Sequence, residues 1–305
     1  MSTRMRMYHL LKTWIPKIPL KVSYGLANVG GDLLWLFAKG VRANIEDNQR
    51  HAMRPGASDR EVSASAREVL RNLAKIYVDE FRIPALSEQE IRDSVIVHGM
   101  EYLEAARAEG KGIVLTSAHY GTPHMVGQLL TVLGYPTTVV VEHVQPEEMF
   151  EFMCDLRSSH GLRLLPIDKP LIGLIRTLRK ENGIVALVVD RNVTGTGITM
   201  PFLGEETNMA DGAVQLALRT GSPLLLAYCR RRADNRYEAV VEPPIELPDK
   251  PADMDAAARE GTAKLVARLE AFIREQPDQW VMTVPIWKQE AQVPVRRVEA
   301  SAGDE

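Results

Sequence analysis

The chain has 305 residues, 45% hydrophobic and 25% charged, a mixture that excludes disordered and fibrous classes and leaves one large α/β domain or two smaller ones. A formal net charge of −3 gives no chain-wide electrostatic case for nucleic acid. The two cysteines, Cys154 and Cys229, exclude a disulfide scaffold or a cysteine-built zinc site and suit a reducing compartment.

The charge is unevenly spread. Residues 1–54 carry nine Lys/Arg against three acids, while the remaining 251 residues carry a net −9. Arg4, Arg6, Lys12, Lys17 and Lys21 alternate with Tyr8, Leu10, Leu11, Trp14, Ile15 and Ile18, and no acid falls before Asp32. Leu33 to Ala38 forms a second apolar run. Neither approaches the ~20 apolar residues of a spanning helix, and Lys12 and Lys17 interrupt what would be a signal-peptide core. Two readings stay open: a basic amphipathic segment lying on an anionic membrane surface, or a docked helix whose lysines face water.

Further on, Ser58 and Glu61 form a capping box opening a helix with Val62, Ala66, Val69, Leu73, Ile76, Tyr77 and Phe81 on one face. Ser87 and Glu90 open a shorter helix, and Glu101 to Ala108 a third that stops at Gly110. The period then changes. Short apolar runs at 113–117, 137–141, 162–165, 184–189 and 224–229 predict buried strands, with 237–241 as an outer strand. Between them fall helices: one entered through Thr122-Pro123 and ended at Gly134, then 146–160, about 171–182, and 211–220; a last helix covers about 254–275. A loop separates the 184–189 strand from Asp211, with 194–197 read as its flexible part ahead of 200–204. This alternation predicts an α/β fold, a mostly parallel central sheet covered by helices. A helical, membrane-associating extension (1–54) precedes the main domain (55–290), and 291–305 read as a disordered tail.

In such sheets ligands collect beyond the carboxyl ends of strands. His119 stands there, just before a helix N-terminus whose amides can hold a developing oxyanion, and its ordinary pKa suits a general base. Gly121 permits a turn and a close substrate approach. Asp190 leaves a wholly apolar strand and needs a partner; a surface pair with Arg191 is its bland alternative. No His-Glu-x-x-His run or Gly-x-Ser-x-Gly elbow occurs, so neither a metal nor a serine nucleophile is assigned.

Residues 41–45 (VRANI), 112–121 (GIVLTSAHYG), 183–192 (GIVALVVDRN), 201–204 (PFLG), 217–223 (ALRTGSP), 277–280 (PDQW) and Trp287-Lys288 together resemble the lipid A biosynthesis acyltransferase family, which includes the phosphatidylinositol mannoside acyltransferases. The resemblance covers most of the chain. It implies acyl transfer from acyl-CoA or acyl carrier protein to a hydroxyl of a membrane glycolipid, without a cofactor, at the cytoplasmic face of the bacterial inner membrane. It also implies an HX4(D/E) motif with His119 as base. Here His124 occupies the acid's position, Thr122-Pro123 replaces the usual Asn-Trp, and Val284-Pro285 replaces a closing His-Arg pair. A histidine cannot stabilise an imidazolium as a carboxylate does. Three readings follow: Asp190 supplies the carboxylate, His124 acts in a two-histidine arrangement, or the protein binds lipid or acyl carrier without transferring. Thioesterase chemistry, with water as acceptor, is a further alternative. Arg157 and Arg191 are candidates for contacting a substrate phosphate through their guanidinium forks.

Overall fold

The computed structural model describes residues 3–287; Lys288 and the tail expected at 291–305 lie outside the described residues. In chain order the elements are α1 (Thr3–Trp14), α2 (Leu20–Phe37), α3 (Lys39–Ala52), α4 (Asp59–Arg82), α5 (Glu88–Ser94), β1 (Val95–His98), α6 (Met100–Ala108), β2 (Ile113–Ser117), α7 (Pro123–Val132), β3 (Thr137–Val141), α8 (Glu147–Arg157), β4 (Arg163–Pro166), α9 (Ile172–Arg179) and β5 (Ile184–Val188). There follow β6 (Ile198–Phe202), β7 (Glu205–Met209), α10 (Gly212–Thr220), β8 (Leu224–Arg231), β9 (Tyr237–Val241) and α11 (Met254–Glu275).

Seven strands form one sheet in the order β1-β9-β8-β2-β5-β3-β4, parallel except where β8 meets β9. Strand alternation divides the core in two. Ile113 and Leu115 of β2 pack with Leu103 of α6 and Leu130 of α7, whereas Val114 packs with Leu174 and Leu178 of α9, Val214 of α10 and Leu265 of α11. The helices therefore cover both faces, as a parallel sheet requires. Both expected capping boxes form, Ser58 with Glu61 and Ser87 with Glu90.

Three expectations need correction. Residues 237–241 are an inner strand, because β1, four residues long and continuous with the end of α5, lies outside them. The segment read as a loop contains a β6–β7 hairpin. Its signal was masked by Pro201 inside the strand and by Leu203, which takes φ +52 at a turn position usually held by Asn, Asp or Gly; burial of the Leu203 side chain anchors that conformation. Thr122 and Asp211 begin α7 and α10 but make no side-chain cap.

The N-terminal helices are bound into the body. Gly31 of α2 lets that helix cross α4 closely, since a Cβ there would meet Arg71 Cα at 2.7 Å. Tyr24 of α2 is buried; its hydroxyl donates to Asp79 of α4 and accepts from Arg231 of β8. Arg231 and Asp79 form a buried ion pair. In α3, buried Asn48 donates to the carbonyls of Met282 and Val284, and Gln49 donates to that of Pro277. No helix among the described residues is long and apolar enough to cross a membrane.

Candidate active site

The parallel pairing of β2 and β5 sets Ser117 opposite Val188. Two residues further along each strand, His119 and Asp190 leave the carboxyl end of the sheet side by side. His119 Nδ1 lies 2.9 Å from Asp190 Oδ1. The other carboxylate oxygen accepts the His119 backbone N–H at 3.0 Å and the Trp280 indole N–H at 2.7 Å. Asp190 is fully buried, and an unpaired carboxylate there would be very costly; these three donors offset the cost. Burial pushes its pKa up, but the His119 charge and the donors outweigh that, leaving it below the ordinary value.

The His119 ring is walled in by protein yet 45% exposed, because one edge opens on a cavity. Burial pulls its pKa down and the Asp190 carboxylate pulls it up, with a net rise above 6.5. With the Nδ1 proton donated to Asp190, the lone pair of the neutral ring sits on Nε2.

The cavity holds about 410 Å³ on the α7–α8 side of the sheet. Its wall is mostly apolar, with Leu115, Leu130, Val139, Ala186 and Phe150 among its lining; its polar points include His119, His124, Glu142, Arg157 and Arg191. Such a lining suits a hydrocarbon chain with its reacting end at the polar group. Among the described residues no group of three or more His, Cys, Asp or Glu is placed to hold a metal ion.

The other expected site residues fall differently. His124 does not meet His119; its Nε2 stands 2.9 Å from Glu80 Oε1 on α4. Arg157 is not free for a phosphate, because its Nε and terminal nitrogen lie 3.1 and 2.7 Å from that same Glu80 oxygen. Glu80 is buried; burial raises its pKa, and the Arg157 and His124 charges bring it down to about 2. Burial and Arg157 together hold His124 below its ordinary value. Gly121 does not line the cavity: at φ +56 it presses on β8, where a Cβ would lie 1.8 Å from the Cys229 carbonyl oxygen. Arg191 does line the cavity. One of its terminal nitrogens donates to Glu142 at 3.0 Å, and its Nε is buried without a partner.

Sequence reasoning gave no role to Trp280 or Glu80. Trp280 arrives from a segment that clamps the His119 turn, where Val281 N–H donates to the His119 carbonyl and Gly121 N–H to that of Gln279. Glu80 falls four residues after Ile76, on the buried stripe of α4. A carboxylate at such a position was its available signal.

Comparison with known proteins places this arrangement in context. A family model described as bacterial lipid A biosynthesis acyltransferase matches residues 5–289. A phosphatidylinositol mannoside acyltransferase of Mycobacterium tuberculosis is 29% identical over 223 residues, covering 72% of this chain and 68% of the relative. One of Mycolicibacterium smegmatis is 29% identical over 224 residues, covering 72% and 71%.

Proposed function

The chain belongs to the bacterial lipid A biosynthesis acyltransferase family, and from that premise we propose that it is an O-acyltransferase moving a fatty acyl group from acyl-CoA or acyl carrier protein to a hydroxyl of a membrane glycolipid. The observation that carries this reading is the His119–Asp190 pair at the edge of an apolar cavity. His119 Nε2 takes the proton of the acceptor hydroxyl as its oxygen attacks the thioester carbonyl carbon. The new C–O bond forms, the C–S bond breaks, and the imidazolium returns its proton to the departing thiolate. Asp190 stabilises the imidazolium and fixes the tautomer, as the acid of a hydrolase triad does. The start of α7 and the Arg191 guanidinium are the groups nearest in sequence to the two catalytic residues that can offset the developing oxyanion. No cofactor is needed.

The acceptor is of the lipid A precursor or phosphatidylinositol mannoside type, and the work is done at the cytoplasmic face of the bacterial inner membrane. What supports a peripheral seat is the exposed stripe Val22, Leu26, Val29 and Leu33 on α2, beside exposed Leu10 and Trp14 of α1 and the basic residues among them. Departure of the acid from position 124 favoured a binding-only relative; a carboxylate already on His119 Nδ1 favours an active base.

The test is a transfer assay read by mass spectrometry, with acyl-CoA or acylated carrier protein and a bacterial lipid extract, beside His119→Ala. A new acylated lipid made by the unmutated protein alone is the expected result. Free fatty acid without acylated lipid would indicate a thioesterase. No product from either donor, with vesicle binding retained, would identify a lipid-binding protein.

A further inference from the structure

The outer face of α9 has the wrong composition for a plain solvent-facing surface. Ile172 is 76% exposed and Ile175 39%, with Leu171 beside them at 53%. The same face carries Arg176 and Arg179, one and two turns on, and Lys169 stands at its start. The buried stripe, Leu174, Thr177 and Leu178, occupies the other side, so helical geometry does not force these isoleucines outward against a packing demand.

Two acids lie close by, and each is engaged. Glu181 is shared between Arg163 and Arg176. Asp168 is bound to His143. Arg176 shares Glu181 with Arg163, and Arg179 donates to the Arg219 carbonyl. The excess therefore lies in net charge: Arg163, Lys169, Arg176 and Arg179 outnumber Glu181 and Asp168 around three exposed apolar side chains, the pattern of an apolar contact with a basic rim.

Position sharpens the reading. The loop into α9 passes Ile167, which lines the cavity, so Leu171 and Ile172 sit at the cavity's end of the sheet. Yet α9 packs on the opposite face of the sheet from α7, with α10 and α11, whereas α1 packs against α8 and α4 on the cavity side. The α9 patch is thus separate from the apolar stripe of the N-terminal helices.

We propose that the α9 face is the docking surface for an acidic carrier protein that presents the acyl chain on a flexible thioester arm. This rests on the acyltransfer reading above. Charge complementarity selects the partner: acidic side chains meet Lys169, Arg176 and Arg179 while a small apolar patch covers Ile172 and Leu171, leaving the arm to enter the cavity beside them. Such an interface gains encounter rate from its charges and is weakened by salt.

The experiment uses the full chain, its double variant Arg176→Glu/Arg179→Glu, and Ile172→Ser; all three positions are exposed. Binding of bacterial holo acyl carrier protein is titrated at low and moderate salt, beside binding to vesicles containing anionic phospholipid. KM and kcat are measured with carrier-bound and CoA-bound acyl donors. The double variant is expected to bind the carrier protein at least ten-fold more weakly and to raise KM for that donor alone, with kcat, acyl-CoA transfer and vesicle binding unchanged. Ile172→Ser is expected to show a smaller loss with the same selectivity. Equal carrier binding by variant and parent overturns the proposal. So does loss of vesicle binding in the double variant with the carrier unaffected, which would make the face a membrane contact. Absence of transfer from both donors would sink the acyltransferase reading, and the carrier titration would still decide the docking surface.

Discussion

Two histidines five residues apart in sequence line one cavity, each against a buried carboxylate, and they are held in opposite states. His119 is drawn above its ordinary pKa and His124 below it, although each ring nitrogen lies 2.9 Å from a buried carboxylate oxygen. The third party makes the difference. Asp190 is satisfied by neutral donors, the Trp280 indole and a backbone N–H, so its charge remains available to the His119 ring. Glu80 spends its charge on Arg157, whose own cation then opposes protonation of His124. A carboxylate at hydrogen-bond distance does not by itself make a base; what else it binds decides.

The contrast is broken most strongly by removing the proposed base. His119→Ala is expected to lower the transfer rate by about 10³-fold or more, and Asp190→Asn by about 10²–10⁴-fold with the fold intact. His124→Gln is expected to cost less than about ten-fold. Steady-state kinetics on the three variants would rank them, and equal losses at 119 and 124 would restore the two-histidine arrangement.

Next in size is stability. Glu80→Gln leaves Arg157 and His124 without their shared anion and is expected to cost about 3 kcal/mol, read from the denaturant midpoint.

A smaller effect has opposite signs at the two sites. The raised His119 pKa means the folded protein holds that proton more tightly than the unfolded chain. Its contribution to stability is complete below pH 6.5 and is lost as pH rises through the folded value. For His124 the unfolded chain takes the proton more readily, so stability falls as pH drops below 6.5. As pH rises, the stability margin of the parent over His119→Ala should shrink above pH 6.5, and that over His124→Gln should grow on the acid side of pH 6.5. The lowered Asp190 contributes its stability above pH 3.8, loses it as pH falls through its folded value, and so stays constant across this window. Thermal melts across that range would show the slopes, and parallel slopes would refute the assignment.

The finest test is Arg157→Met, which frees the Glu80 charge for His124. The His124 ring resonance should then titrate at higher pH while that of His119 stays in place.

Much of this was legible in the sequence. Strand ends place His119 and Asp190 at the carboxyl end of a mostly parallel sheet, and the β2–β5 register makes them neighbours. Their partners were less visible, because Trp280 and Glu80 come from elements 161 and 39 residues from His119 that only packing brings in. Gly121 misled for a local reason: a glycine beside a candidate base reads as room for substrate, whereas here the room is taken by the backbone of β8. Arg157 misled because a helix-surface arginine carries no mark of the acid waiting for it on α4.

The segment from Pro277 to Val284 is grasped by Asn48 and Gln49 from near the start of the chain, and it delivers Trp280 to the acid. This gives the molecule a built-in order of completion during synthesis. A growing chain can carry His119, Asp190 and the whole central sheet on the ribosome and still lack the indole that holds the carboxylate, because Trp280 follows Asp190 by 90 residues. Helix α3 is made long before the segment it holds, and the site closes when these two distant stretches meet.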